Sequence, residues 1–276
     1  MDNIKDIIER SGNNFQFQVI DFLKEKKWPV LISPYYNDNI TDKPREIDII
    51  AEKSFDVTRG PVEFGTPLGV LCVQLFIECK YINKEVVFWF DSKDKVKAAR
   101  LITSNTPLMP PDTDFLIERH HYFKDEPVAK LFASGADKTQ ENELIYKAIN
   151  QSLNAMVYYD NYGRIMVTNK TVLCTIRYPL IVCNNFNNFH KVDKSNPDGH
   201  SSIDNNFQLE VNYAHLDMKK ESRQKYSLID VIDFTQFDGF LSDLEKQDIK
   251  IVKQALVQKH EEREDQRREN ESQESE

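Results

Sequence analysis

The sequence predicts an α/β protein with one elaborated domain, and three observations support this. Apolar runs of strand character alternate with amphipathic helical segments along 276 residues, a length that buries a substantial core. Hydrophobic residues make up 40% of the chain and aromatic residues 11%, as is typical of folded proteins. No internal repeat or linker is visible. Residues 1–250 are therefore expected to form a single domain, and residues 251–276 a charged tail passing from helix into disorder.

Apolar residues at helical spacing predict the helices. In the segment NFQFQVIDFLKEKKW, residues 14–28, the side chains of Phe15, Val19, Phe22 and Leu23 would form one apolar face. Further helices are expected over residues 3–10, 92–102, 138–159 and 240–270.

Runs rich in apolar and β-branched residues predict the strands. In chain order these runs cover residues 28–36, 46–53, 71–81, 85–90, 171–183, 207–215 and 227–234. The segment over residues 54–69 carries three glycines and two prolines, a pattern that predicts turn and loop, with room for a small hairpin.

Several classes of protein are not favoured by the sequence. No run of about 18 apolar residues is present, so no membrane span is predicted, and the acidic N-terminus MDNIKDIIERSGNN predicts no signal peptide. The six histidines lack HxxxH and HExxH spacing, so no zinc site is predicted. The four cysteines lack CxxC spacing and are expected to be buried thiols in a reducing cytoplasm.

The net charge of −9 argues against general attraction to nucleic acid or anionic lipid. Eight acidic and four basic residues in the segment 259–276 account for −4 of that charge. A basic patch on the body of the protein is therefore compatible with the composition.

An acid and a base lie side by side in the strand that contains FIECKY. Because strand side chains alternate between faces, Glu78 and Lys80 point one way while Ile77 and Cys79 point the other. Asp48 places a second acid in the apolar run EIDII. If the two strands are neighbours, the two carboxylates converge at one end of the sheet and repel each other unless a cation lies between them.

Two interpretations of these residues follow. Mg²⁺ takes oxygen ligands and accepts a substrate phosphate as a further ligand, so Asp48 and Glu78 could hold this ion beside Lys80. Alternatively, Glu78 and Lys80 form an ion pair at the edge of a sheet, and Asp48 is an ordinary acid at a strand end. The second interpretation leaves a charge in a run that is otherwise suited to burial.

The residues Asp48 in EIDII, Glu78-Cys79-Lys80 in FIECKY and the helix GNNFQFQVIDFLKEKKW together resemble the PD-(D/E)XK nuclease superfamily. Within it they are similar to the Mrr-like and Holliday-junction-resolvase-like branch, over about residues 12–101. The resemblance implies a restriction-endonuclease-like fold, a mixed central sheet flanked by helices. The motif-bearing core would span about residues 12–125, followed by an elaborated C-terminal half over residues 126–250. It also implies that Asp48 and Glu78 are ligands of Mg²⁺ or Mn²⁺ and that Lys80 is the catalytic lysine.

This sequence departs from the family pattern at two places. Gln16 occupies the position at which the first helix of the family commonly supplies an acid, and an amide brings no charge to a metal. Asp48 and Glu78 are 30 residues apart, which is long for neighbouring strands and predicts an insertion between them. Glu63 in that insertion is an additional candidate ligand or a solvated loop acid.

Two further groups of residues are candidates for contact with a substrate. Lys93, Lys97 and Arg100 fall at i, i+4 and i+7, and they would form either a basic helical face that binds a phosphate backbone or an ordinary solvated face. Gln151 is similar to a downstream helix glutamine of some branches of the superfamily. Because Ala155 stands where a tyrosine is expected, a packing role is predicted for Gln151.

The resemblance implies a metal-dependent DNA endonuclease that hydrolyses phosphodiester bonds in bacterial defence or DNA processing. DNA would be the partner, and a homodimer is a common assembly of such nucleases. The alternative is a nuclease-fold protein that binds nucleic acid or a protein partner without cutting it, which the acidic charge and Gln16 favour. The sequence leaves DNA and RNA both open as substrates.

Overall fold

The computed structural model describes residues 4–5, 8, 12–39, 41–60, 65–108, 114–134, 143–160, 165, 169–216 and 221–273. Glu63 lies outside these residues, as do most of the helix predicted over residues 3–10 and the start of the helix predicted over residues 138–159.

The described part of the chain contains helices and strands in a mixed order. The helices are α1 (Gly12–Glu25), α2 (Lys95–Asn105), α3 (Asp114–Ile117), α4 (Glu143–Asp160), α5 (Phe237–Leu244) and α6 (Lys250–Gln273). The strands are β1 (Val30–Ile32), β2 (Tyr35–Asn37), β3 (Pro44–Glu46), β4 (Ile49–Arg59), β5 (Thr66–Lys80), β6 (Val86–Asp91), β7 (Val128–Ser134), β8 (Val172–Cys183), β9 (Phe189–Asp193), β10 (Asn196–Ser202), β11 (Phe207–Leu216) and β12 (Ser222–Asp233).

Ten of these strands form one mixed sheet, and helices flank it. The order across the sheet is β1-β4-β5-β8-β12-β11-β7-β6-β9-β10, while β2 and β3 form a separate hairpin. The central strands β5, β8 and β12 are parallel, and β4 and β11 pair antiparallel with this centre. The protein is thus a mixed α/β fold. No helix within the described residues has the length and apolar character needed to cross a membrane.

The two faces of the sheet are covered by different helices. Helices α1, α2, α5 and α6 contribute to the hydrophobic core on one face, and α4 contributes to the core on the other. Strand β5 is buried on both faces, with Ile77 in the first core and Phe76 in the second, as its continuous apolar run favours. Because side chains alternate along a strand, Glu78 and Lys80 share the face of Phe76 and lie on the α4 side.

The predicted insertion between Asp48 and Glu78 was wrong, because this segment forms a long antiparallel hairpin. Strand β4 extends to Arg59 and β5 begins at Thr66, so most of the predicted loop over residues 54–69 is strand. Gly69, one of the three glycines that favoured a loop, is instead needed for close packing between strands. Gly69 has a φ of +152°, and a Cβ atom there would lie 2.5 Å from the Thr171 carbonyl oxygen.

The predicted boundary between domain and tail lies inside a packed helix. A π-helical turn over Glu245–Ile249 joins α5 to α6, and the helical backbone continues to Gln273. Ile251, Val252, Ala255 and Leu256 are buried in the core. The chain beyond residue 250 therefore contributes to the body of the protein before its charged end begins.

Candidate active site

Asp48 and Glu78 lie opposite each other at one end of the β4–β5 pair. Ile49, the first residue of β4, pairs with Ile77 of β5, so Asp48 just before β4 meets Glu78 just after Ile77. The Cys79 amide donates a hydrogen bond of 2.8 Å to Asp48 Oδ2, and the Asp48 amide donates one of 3.3 Å to Glu78 Oε1. Each carboxylate is thus fixed by a backbone N–H of the opposite segment, and the condition for convergence of the two acids, that these strands are neighbours, is met.

Lys80 completes this group of charged side chains. Its Nζ donates a hydrogen bond of 2.7 Å to Glu78 Oε2, with the side chains 11% and 0% exposed. Burial raises the pKa of Glu78 to about 8, against the opposing effect of the Lys80 ammonium. Burial likewise raises the pKa of Asp48. Ionising both carboxyl groups is therefore costly, and a bound cation would offset that cost.

Gln16 reaches the backbone of Asp48, not its carboxylate. From α1 its Nε2 donates a hydrogen bond of 2.8 Å to the Asp48 carbonyl oxygen and lies 3.3 Å from Ser33 Oγ. The Ser33 amide donates to the same carbonyl at 2.9 Å. The structure therefore brings Gln16 to the candidate site, where it holds the segment that carries Asp48.

Gln151, for which the sequence predicted a packing role, lies beside the candidate site. Its Nε2 donates a hydrogen bond of 2.7 Å to the Glu46 carbonyl oxygen, two residues before Asp48. Its Oε1 is buried and has no hydrogen-bond partner among the described residues. A buried acceptor normally has a donor, so this oxygen marks a place where a donor would be stabilised. The sequence signal was the glutamine itself, and no local pattern showed which strand it would meet.

The predicted basic face is not formed as expected. Lys93 is only 9% exposed, and its Nζ donates a hydrogen bond of 2.9 Å to the Lys124 carbonyl oxygen. Lys97 pairs with Asp94 at 3.1 Å, and Arg100 is exposed on α2. Helix α2 packs on the face of the sheet opposite to Glu78. Lys93 is thus excluded from an exposed basic surface, and the sheet separates α2 from the candidate site.

A second polar cluster lies on the α2 side of the sheet. The carboxylate of Asp248, fully buried in the π-helical turn, accepts a hydrogen bond of 3.0 Å from the His121 amide. Its Oδ2 also contacts His121 Nδ1, lies 3.3 Å from His120 Nε2 and accepts a hydrogen bond of 3.1 Å from the Tyr178 hydroxyl. The potential ligand atoms of His120, His121 and Asp248 lie within 4.8 Å of one another, so distance alone would permit a metal ion.

The hydrogen bonds of His120 argue against a metal in this cluster. Its Nδ1 accepts a hydrogen bond of 3.2 Å from the Tyr122 amide, and burial lowers its pKa to about 4. A neutral imidazole with Nδ1 as acceptor carries its proton on Nε2, which lies 3.3 Å from Asp248 Oδ2, so neither ring nitrogen has a free lone pair for a metal. The cluster is therefore better described as a hydrogen-bonded His–Asp network.

His121 is the charged centre of this network. Its Nε2 lies 3.2 Å from Asp230 Oδ2, so the imidazole ring stands between two carboxylates. Burial lowers the pKa of His121, but the carboxylates of Asp248 and Asp230 outweigh it and raise the pKa to about 10. Burial raises the pKa of Asp248, but the neighbouring imidazoles and the hydrogen bonds from His121 outweigh it and hold that pKa below its usual range. At neutral pH the imidazolium links the His121 segment to Asp230 of β12 and to Asp248 of the π-helical turn before α6.

We expect the contribution of His121 to stability to decline as the pH rises from about 7 to 10. Its folded-state pKa, about 10, lies above the ordinary value of 6.5. The stabilisation is therefore fully present below pH 6.5 and is lost as the pH approaches 10. Urea unfolding of the native chain and of His121→Gln should give free energies that converge over this range. His200→Gln, at an exposed histidine, serves as control; a gap for His121→Gln that is independent of pH would contradict the expectation.

No protein-family model, no curated protein and no solved structure matches this chain. The geometry of the described residues therefore has to define the class of site. The candidate site comprises two carboxylates and one lysine at the end of two antiparallel strands of the mixed sheet, and hydrogen bonds connect the three residues.

Proposed function

We propose that this protein is a metal-dependent nuclease with a restriction-endonuclease-like fold, which hydrolyses phosphodiester bonds in DNA. The observation that carries the proposal is the reciprocal bonding of Asp48 and Glu78, with Lys80 2.7 Å from the Glu78 carboxylate. The alternative interpretation, an ion pair at a sheet edge, would need only Glu78 and Lys80. The site instead lies between two interior strands and includes a second, half-buried acid.

The residues present fit Mg²⁺ or Mn²⁺. Asp48 Oδ1 has no hydrogen bond within the described residues, and the buried Gln151 Oε1 has no partner there either. Hard divalent ions favour oxygen donors of this kind. Asp48 and Glu78 would hold the ion, which when bound would polarise the phosphodiester and lower the pKa of the attacking water.

The side chains of the protein have separate tasks in this proposal. The Lys80 ammonium faces the carboxylate pair, where it would hold the attacking water or stabilise negative charge on the phosphate. Gln16 and Gln151 donate hydrogen bonds to the backbone carbonyls of Asp48 and Glu46, in the segment that carries the Asp48 carboxylate. They would position that acid without touching the substrate, as supporting hydrogen bonds do around metal sites.

Removing the Asp48 carboxylate should strongly lower the rate of metal-dependent DNA cleavage. Purified protein is incubated with plasmid and with single-stranded DNA in Mg²⁺, in Mn²⁺ and in EDTA. We expect cleavage in either metal, none in EDTA, and about a 10³-fold lower rate for Asp48→Asn, since one preorganised electrostatic group contributes about 10²–10³. Asp56→Asn, at an exposed residue of β4 away from the site, should cut normally. Cleavage in EDTA, or cleavage that survives Asp48→Asn, would contradict the proposal.

A second candidate function is binding of nucleic acid or a protein partner without cleavage. It is favoured by Gln16, which supplies no carboxylate at the first-helix position and is already bonded to a backbone carbonyl. Retained binding in the absence of cleavage, with Asp48 and Lys80 intact, would identify this function. In either case we place the protein in the cytoplasm, where its four free cysteines would remain thiols.

A further inference from the structure

Two cations flank the candidate site on the α4 side of the sheet. Gln151 fixes α4 to β3 through its hydrogen bond of 2.7 Å to the Glu46 carbonyl oxygen. Lys147 lies one helical turn before Gln151 and therefore on the same side of α4. Arg45 immediately precedes Glu46 in β3 and pairs with Tyr36 of β2. Lys147 and Arg45 thus lie on two elements that meet beside the acids of the site.

The pairing of β2 with β3 places Arg45 on the α4 side of the sheet. Its register partner Tyr36 is buried in the same core as Phe76, and the ring centroids of Tyr36 and Tyr158 of α4 lie 6.4 Å apart. Residues directly opposite each other in a strand pair share a face, so Arg45 lies on the side that also carries Glu78 and Lys80.

Lys147 and Arg45 are also available to a ligand. Both are exposed, and neither forms an ion pair or a side-chain hydrogen bond within the described part of the chain. On α2, by contrast, Lys95 pairs with Asp125 at 3.1 Å and Lys97 with Asp94 at 3.1 Å. Cationic side chains without an ion-pair partner among the described residues therefore lie beside the candidate site, and not only on α2, the helix in which the sequence predicted a basic face.

We propose that Arg45 and Lys147 form a phosphate-binding surface, here called the β3–α4 surface. It holds the sugar–phosphate backbone of a nucleic acid strand on either side of the phosphate presented to Lys80. This inference rests on the proposed function. A guanidinium binds two phosphate oxygens at once and an ammonium acts as a point charge, so the two residues suit successive phosphates of a polymer. Such local contacts let a chain of net charge −9 bind a polyanion.

Binding is measured by fluorescence anisotropy in EDTA, where no cleavage is expected, and again in Ca²⁺. The probes are a 20-base-pair duplex and single strands of DNA and RNA of the same sequence. For the double variant Arg45→Ala/Lys147→Ala we expect about 50-fold weaker duplex binding at 0.1 M salt. The slope of log K against log salt should become shallower by about 1.8, because each of the two lost phosphate contacts contributes about 0.9. The matched control is Lys97→Ala/Arg100→Ala on α2, which should bind like the native chain.

Steady-state cleavage in Mg²⁺ separates this inference from the proposed function. The β3–α4 double variant should raise KM at least tenfold with little change in kcat, because the substituted residues bind flanking phosphates and not the reacting one. If the native chain cleaves DNA but the double variant has native affinity, salt slope and KM, phosphate binding by the β3–α4 surface is contradicted and the proposed nuclease function is not. Inorganic phosphate that competes as well as an oligonucleotide would also overturn it, as would a loss of binding confined to the α2 variant. If the native chain neither binds nor cleaves any probe, both proposals fail.

Discussion

Replacing Asp248 with alanine is expected to lower the free energy of unfolding by about 3–5 kcal/mol, the usual cost of removing one partner from a buried ion pair. The Asp248 carboxylate accepts hydrogen bonds from the His121 amide and the Tyr178 hydroxyl and contacts both imidazole rings. Without it, the His121 imidazolium keeps only Asp230 as a counter-charge, and two buried donors lose their acceptor.

Urea unfolding at pH 7, followed by circular dichroism, measures this effect. Asp243→Ala, at an exposed residue five positions earlier, should change the free energy by no more than about 0.5 kcal/mol. An equal effect of both substitutions would show that the His–Asp network adds nothing to stability. Addition of Zn²⁺ or Mn²⁺ to the native chain should not raise the unfolding midpoint through this cluster. A rise that His120→Ala removes would contradict the proton assignment on His120.

Replacing Lys80 with methionine is expected to lower the rate of metal-dependent cleavage about 10³-fold while the fold is retained. The ammonium of Lys80 is the positive charge hydrogen-bonded to Glu78, so its removal takes away charge stabilisation where the phosphate would bind. We expect the fold to tolerate the loss of this counter-charge because burial already raises the pKa of Glu78 to about 8 and so favours its neutral form in the metal-free protein. A methionine of similar length fills the space left by the lysine stem.

Single-turnover cleavage with saturating protein isolates the chemical step for this test. Lys84→Met, at an exposed lysine on the following loop, is the control and should cut at the native rate. A decrease of less than about tenfold for Lys80→Met would show that Lys80 serves only as a counter-charge for Glu78. An unfolding midpoint close to that of the native chain is needed for either conclusion.

The strands that carry the candidate site could be predicted because their signals are local. The alternation of FIECKY placed Glu78 and Lys80 on one face, and the apolar run around Asp48 indicated a second strand. The length of the β4–β5 hairpin could not be predicted in this way. The glycines and prolines of residues 54–69 favour loop, but pairing along both strands and the close packing of Gly69 against Thr171 outweigh that preference.

The positions of α2 and of the His–Asp network depend on contacts that no local pattern records. The spacing of Lys97 and Arg100 indicates an exposed side of a helix, but not which face of the sheet that helix covers. His121 and Asp248 are 127 residues apart, and histidine spacing is informative only when the ligands are close in sequence. Gln151 meets the Glu46 carbonyl across 105 residues for the same reason. Tertiary pairing, and not propensity, decides these features.

The parallel pairing of β5 with β8 also has a consequence for how the chain folds. Gln74 and its partner Arg177 are 103 residues apart, so the centre of the sheet closes only after a long loop has been ordered. The β4–β5 hairpin is local and can form earlier, which would bring Asp48 and Glu78 together while β5 still presents an open apolar edge. During refolding, partly folded chains would associate with one another at that edge until β8 pairs with β5 and covers it.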